Sequence, residues 1–164
     1  MSNFAIAPAR PDDVPAIHGM IRELAEYEKL SDLVVSTEAD VARALFGDAP
    51  AVEVVLGRAD GIPVAFALYF HNFSTFLGRR GLYLEDLFVR PAFRRRGYGR
   101  ALLVHLARLA RERGCGRFEW AVLDWNVSAI AFYESLGATL LHDWRVTRVT
   151  GPALEALAQQ PMFE

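Results

Sequence analysis

The chain has 164 residues, 52% apolar and 23% charged, which is enough for one domain with a substantial core and an ordinary globular balance. Its single cysteine, Cys115, excludes an internal disulfide and predicts a reducing, cytoplasmic setting, while a net charge of -2 and a pI near 6.1 argue against a dedicated nucleic-acid binder. No apolar run approaches the ~20 residues of a membrane span, and Asn3, Pro8 and Arg10 interrupt the stretch where a signal peptide would have its core.

Phe4-Ala5-Ile6 predicts a short first strand. Asp12 or Asp13 then caps a helix in which Val14, Ile17, Ile21 and Leu24 recur at threes and fours. Thr37, with Asp40 three residues on, has the spacing of a capping box and opens a second helix to about Phe46. Residues 51 to 56 read as a strand, and 59 to 63 as a turn. Residues 64 to 70 and 82 to 89 read as two long apolar strands joined by a polar, glycine-containing stretch. A third helix from Gly97 to about Arg113 is stopped by Gly114. Then come a strand at 118 to 123, a helix at 128 to 136 stopped by Gly137, and two short strands between Leu140 and Val149. A short helix follows Gly151-Pro152.

The order β-α-α-β-β-β-α-β-α-β predicts a single α/β domain over residues 1 to 164. Its sheet is mixed and mostly antiparallel, with helices on both faces. The fourth and fifth strands flank a helix and form a right-handed parallel crossover. Ligands of such sheets bind at the carboxyl ends of strands.

Arg94-Arg95-Arg96-Gly97-Tyr98-Gly99-Arg100 lies at such a place, between the fourth strand and the third helix. A glycine turn at a helix start points unpaired N–H groups and the positive dipole end outward, which suits a phosphate or pyrophosphate. Neither the Walker pattern nor the third glycine of the dinucleotide fingerprint is present. A bare helix start with arginines in solvent, or a basic patch, fits the same letters.

Glu85 and Asp86 interrupt the apolar run of the fourth strand. Buried carboxylates need partners or a cleft, and alternation sends this pair to opposite faces. One reading is ion pairing with nearby arginines. The other is a cleft-facing general base with a raised pKa. Asn126 suits a helix cap and Phe132 suits the core, while Tyr133 is open to either packing or chemistry. The four histidines lack metal-ligand spacing, GxSxG is absent, and Cys115 has no evident base, so neither a metal nor an acyl-enzyme is expected.

Together these segments resemble the GCN5-related N-acetyltransferase family. Its acetyl-CoA signature, [RQ]-x-x-G-x-[GA], is similar to Arg94 through Gly99, and Asn126-x-x-Ala129-x-x-Phe132-Tyr133-x-x-x-Gly137 resembles its second signature. Leu24-Ala25-Glu26-Tyr27-Glu28, the 82 to 89 run and Trp125-Asn126 resemble the diamine (spermidine/spermine) and thialysine acetyltransferase branch.

The resemblance implies acetyl transfer to a small primary amine by direct attack in a ternary complex, in a homodimeric enzyme with no metal and no nucleic-acid or membrane partner. Leu87, Phe88 and Val89 would hold the pantetheine arm through backbone bonds. Arg94, Arg95, Arg96, Gly97, Tyr98, Gly99 and Arg100 would cradle the pyrophosphate. Asn126, with Ala129 in the same signature, would lie near the cofactor sulfur. Tyr133 would protonate the leaving thiolate and Glu85 would accept the amine proton. Tyr27, Glu28, Glu85 and Asp86 would line the amine site. Residues 71 to 80 carry no carboxylate and two arginines, unlike the more acidic loop of polyamine acetyltransferases, which implies a shorter or zwitterionic amine. A protein acetyltransferase and a non-catalytic acyl-CoA-binding module are the rival readings.

Overall fold

The computed structural model describes residues 3–163. It divides into two compact units, one ending at Ala121 and the other beginning at Val122.

The first unit is built on a five-stranded sheet in sequence order: β1 (Phe4–Pro8), β2 (Glu53–Ala59), β3 (Ile62–Ser74), β4 (Arg79–Val89) and β5 (Phe118–Trp120). The first four strands are antiparallel, and β5 runs parallel to β4. Helices α1 (Val14–Tyr27) and α2 (Glu38–Phe46) follow β1, and α3 (Tyr98–Glu112) forms the crossover between β4 and β5. The β3–β4 hairpin is longer than the sequence suggests. Most of the expected polar connector is strand, and only the tip at 75–78 turns.

Each element has a local cause. Ile17, Met20 and Leu24 put one stripe of α1 into the core, with Ile17 and Met20 fully buried. Thr37 Oγ1 accepts from the Asp40 N–H and Asp40 returns the bond to the Thr37 N–H, closing the capping box that opens α2. Asp13 stands at the start of α1 without capping it. Its carboxylate accepts from the Arg10 N–H and from the Arg58 guanidinium instead. Gly114, in the left-handed region at φ 68°, ends α3.

The sheet is covered on both faces. On one, Ile17, Met20 and Leu24 of α1 and Val41 and Leu45 of α2 pack on Leu56, Phe66 and Phe88. Full burial of Phe66 or Leu56 contributes about 1.5–3 kcal/mol each relative to exposure. On the other face, Tyr98 at the head of α3 stacks on Phe4, with ring centres 3.8 Å apart and planes 5° from parallel. Gly57 makes room for that stack, since a Cβ there would meet Phe4 Cζ at 2.6 Å.

In the second unit, α4 (Val127–Ser135) ends at Leu136 and Gly137, the latter at φ 91°, and α5 (Gly151–Ala158) follows. The two strands expected between Leu140 and Val149 do not form. The β-branched and aromatic letters of that stretch are matched by no neighbouring strand in the unit, and Trp144 and Val146 stay exposed. Likewise β5 stops at Trp120 rather than running to Leu123.

Candidate active site on the open edge of β4

β4 and β5 pair only through Leu82↔Phe118, Tyr83↔Glu119 and Leu84↔Trp120. Beyond Leu84, the one strand paired with β4 among the described residues is β3. The register with β3 slips at the same point: Leu68 faces Asp86, but Tyr69 faces Leu84, leaving Glu85 as an extra residue. This is a β-bulge, and it inverts the alternation of the strand. Asp86, opposite Leu68, shares the α1 face with Phe66 and Phe88, whereas Leu84, two residues earlier, is on the other face with Tyr69. The expectation that simple alternation carries Glu85 and Asp86 to opposite faces is therefore wrong. The extra residue breaks the period of two, and the Glu85 charge is felt at Asp86.

The open edge has a definite hydrogen-bonding character. Arg90 N–H donates to the Val64 carbonyl at 2.9 Å, so strand alternation turns the Phe88 backbone toward β3 and the Leu87 and Val89 backbones outward. The Val89 carbonyl is taken on that side by Arg94 Nε at 2.9 Å. Leu87 and the Val89 N–H remain for a ligand lying along the edge; the Phe88 backbone is turned away, and its ring is buried.

The glycine turn continues from this edge. Arg95 at φ 61° and Gly97 at φ 80° are both left-handed, a backbone form that gathers N–H groups into an anion-binding concavity. Ala101 N–H donates to the Gly97 carbonyl and begins the α3 ladder, so the N–H groups of the preceding turn have no intrahelical acceptor. A Cβ on Gly97 would meet nothing within 4 Å, leaving open space in front of the turn. The turn offers N–H groups to an anion, and Leu87 and Val89 offer backbone groups to an extended ligand.

The arginines divide by role. Arg95 and Arg100 are exposed. Arg94 is held over the Tyr27 ring at 4.7 Å and the Phe88 ring at 5.5 Å, and Arg96 lies 5.3 Å over Phe93. The Tyr98 side chain belongs to the core, so only its backbone is available to a ligand. Gly99 stays in ordinary contact with Val89 Cγ2 at 3.8 Å.

The end of α1 forms the facing wall. Tyr27 is partly exposed against Arg94, and Glu28 follows as the helix cap. Burial raises the Glu28 pKa. Burial, then the charges of Glu85 and Glu28, push the Asp86 carboxyl up to about 6. None of these three carboxylates has an ion pair among the described residues, and they do not form a metal cage. The arginine pairing foreseen as one alternative for Glu85 and Asp86 does not occur; nearby Arg90 is paired with Glu23 at 3.0 Å.

In the second unit, Asn126 Oδ1 accepts from the Ala129 N–H at 3.3 Å and caps α4. Its side-chain NH2 is left as the group that can donate elsewhere. Tyr133 is half-buried on α4, with its ring 5.5 Å from that of Phe132.

Sequence reasoning missed two contributors. The Arg94–Val89 bond was hidden in a run of arginines that read as phosphate ligands. The bulge at Glu85 had no signal beyond the two adjacent carboxylates themselves.

Known proteins resemble this chain in sequence and in fold. A family model described as the Acetyltransferase (GNAT) family matches residues 19–138. The L-ornithine N5-acetyltransferase of Arabidopsis thaliana is 36% identical over 91% of this chain and 85% of its own. A thialysine N-epsilon-acetyltransferase of Caenorhabditis elegans is 37% identical over 98% of this chain and 100% of its own. Among solved structures, an integron cassette protein from the mobile metagenome of V. cholerae superposes with a TM-score of 0.81 at 29% identity, covering 98% of this chain and 99% of the other.

Proposed function

The chain belongs to the GNAT acetyltransferase family, and on that premise we propose that it transfers an acetyl group from acetyl-CoA to the primary amine of a small molecule. The acceptor class is a short amino-acid side-chain amine, as in ornithine or thialysine, whose acetyltransferases are similar to this chain over most of its length. One observation carries the amine: Glu28 at the end of α1 and Glu85 and Asp86 on β4 form an acidic group with no ion pair among the described residues, which suits a cationic ligand. The absence of carboxylates from residues 71–80 supports a short acceptor over a long polycation.

Bound acetyl-CoA supplies the activated acyl group. Leu87 N–H, turned to the open edge, donates to the thioester oxygen as charge builds there. The 95–100 backbone, with Arg95 and Arg100, holds the pyrophosphate. Asn126 donates from its side-chain NH2 toward the sulfur. Tyr133 gives its phenolic proton to the departing thiolate. Tyr27, Glu28 and Glu85 bind and orient the ammonium group. Holding both reactants in one complex removes the need for a covalent enzyme intermediate.

The whole chain acts as one catalytic domain in this reading, in the cytoplasm, as a homodimer. The single Cys115 supports the compartment, and the exposed Trp144 and Val146 support the assembly.

The test is thiol release from acetyl-CoA across a panel of ornithine, lysine, thialysine, putrescine, spermidine and an aminoglycoside. Ornithine or thialysine should exceed spermidine in kcat/KM by tenfold or more. No release with any amine would refute the reading. Light scattering should give twice the 18.3 kDa chain mass at micromolar concentration.

A further inference from the structure

The bulge in β4 separates the jobs of two adjacent carboxylates. Strict alternation would have grouped Asp86 with Leu84, on the face covered by α3. The extra residue at Glu85 instead turns Asp86 to the α1 face, beside Phe88 and opposite Leu68. There it is half-buried, while Glu85 is exposed. Asp86 is also the residue immediately before Leu87, whose backbone looks onto the open edge.

We infer that Asp86, rather than Glu85, accepts the proton that the amine must lose before it can attack. This rests on the acetyltransferase reading above and assigns a residue within it. Glu85, the more exposed of the two, attracts and orients the cation.

The surroundings of Asp86 agree with the assignment. β3 presents apolar Leu68 across the strand pair, α1 presents Glu28, and β4 itself presents Glu85. Arg94 is engaged by Tyr27, Phe88 and the Val89 carbonyl, and Arg90 is paired with Glu23 of α1. Burial and two like charges with no paired cation hold the Asp86 carboxyl at about 6. That makes it a stronger base than an ordinary aspartate, yet one still mainly ionised at pH 7 and above.

The proton count balances. The substrate ammonium gives one proton to Asp86, and its nitrogen lone pair forms the C–N bond to the acetyl carbon. The C–S bond breaks, and its electron pair stays on sulfur, which takes the proton of the general acid. The nitrogen's second proton restores that acid, and Asp86 releases its proton to solvent. The net products are the acetamide, the free thiol and one proton.

The experiment compares wild type, Asp86→Asn, Glu85→Gln and Glu28→Gln. The pH dependence of kcat/KM with the best amine reports groups of the free enzyme. Wild type should lose activity on acidification with a midpoint near 6, from protonation of Asp86. Asp86→Asn should lose that limb and lower kcat by about 10²–10⁴-fold. Glu85→Gln should keep the limb, move it to lower pH and raise KM. In parallel, carbon-13 NMR of labelled aspartate carboxyls reads the same group without turnover. One signal should titrate near 6, vanish in Asp86→Asn, and move to lower pH in Glu85→Gln and Glu28→Gln.

An acidic limb that survives in Asp86→Asn, or disappears in Glu85→Gln, overturns the assignment. So does the lack of any aspartate titrating near 6. Should Asp86→Asn fail to fold, the NMR shifts in the two glutamine variants decide alone. A wild type that turns over no amine overturns the functional reading and this assignment with it. A wild type that turns over while Asp86→Asn keeps its limb overturns only the assignment.

Discussion

The guanidinium of Arg94 lies 4.7 Å from the centre of the Tyr27 ring, and its Nε bonds the Val89 carbonyl. One side chain thus ties the end of α1 to the end of β4, the two walls of the proposed amine site. The contact uses the flat face and one edge of the guanidinium, which lysine cannot reproduce. Arg94→Lys should therefore be nearly as harmful as Arg94→Ala, with KM for the amine rising about three- to tenfold and stability falling by about 1 kcal/mol. Steady-state kinetics and thermal melts check this. Full rescue by lysine would show that Arg94 acts as a phosphate-binding charge.

Gly97 should be needed for cofactor rather than for folding. Its backbone is left-handed, but the space beyond it is free of protein atoms. Gly97→Leu should cost about 1–2 kcal/mol in backbone strain. It should also abolish the rise in melting temperature with acetyl-CoA, which in wild type is worth about 2.7 kcal/mol at a hundredfold excess over Kd. A retained ligand shift in folded Gly97→Leu would mean that the phosphates lie elsewhere.

At the far end of α3, Arg113 holds Glu53 through both terminal nitrogens, at 2.6 and 2.8 Å. The Arg113 hydrogen bond keeps the Glu53 pKa below its ordinary value of 4.5. A depressed carboxylate pKa adds stability that is fully present above the unfolded value and is lost as pH falls through the folded one. Glu53→Gln should cost about 1 kcal/mol at pH 7, because the pair is partly solvated. The difference from wild type should shrink as pH falls below about 4.5. Urea melts at pH 7 and pH 3 measure it; an equal gap at both would exclude the charge as the cause.

Tyr133→Phe should lower kcat by about 10²–10⁴-fold while leaving the acetyl-CoA thermal shift unchanged. Near wild-type kcat at saturating amine, with chemistry rate-limiting, would show that the thiolate leaves unassisted.

The fold was largely legible because its strongest signals are local. Thr37 and Asp40, the glycines at 97, 114 and 137, and the α1 stripe each leave a mark within a few residues. The bulge is different: it is a mismatch in count between two strands, and nothing in Leu84-Glu85-Asp86-Leu87 says which residue is the extra one. Residues 140–149 failed for the opposite reason. Their composition favours strand, but a strand exists only with a neighbour, and none is present in their unit. In the arginine run, one-dimensional charge could not tell Arg94, which lies over two rings and bonds the Val89 carbonyl, from the equally exposed Arg95 and Arg100.

The absent Cβ of Gly57 has a reach well beyond β2. It lets the Phe4 ring lie flat, and Phe4 is the platform on which Tyr98 rests. Tyr98 is flanked by Gly97 and Gly99, so the glycine turn is seated on the Phe4 ring. Phe4 is therefore part of the footing of the proposed phosphate site. A substitution that displaced the Phe4 ring should weaken acetyl-CoA binding by moving that turn.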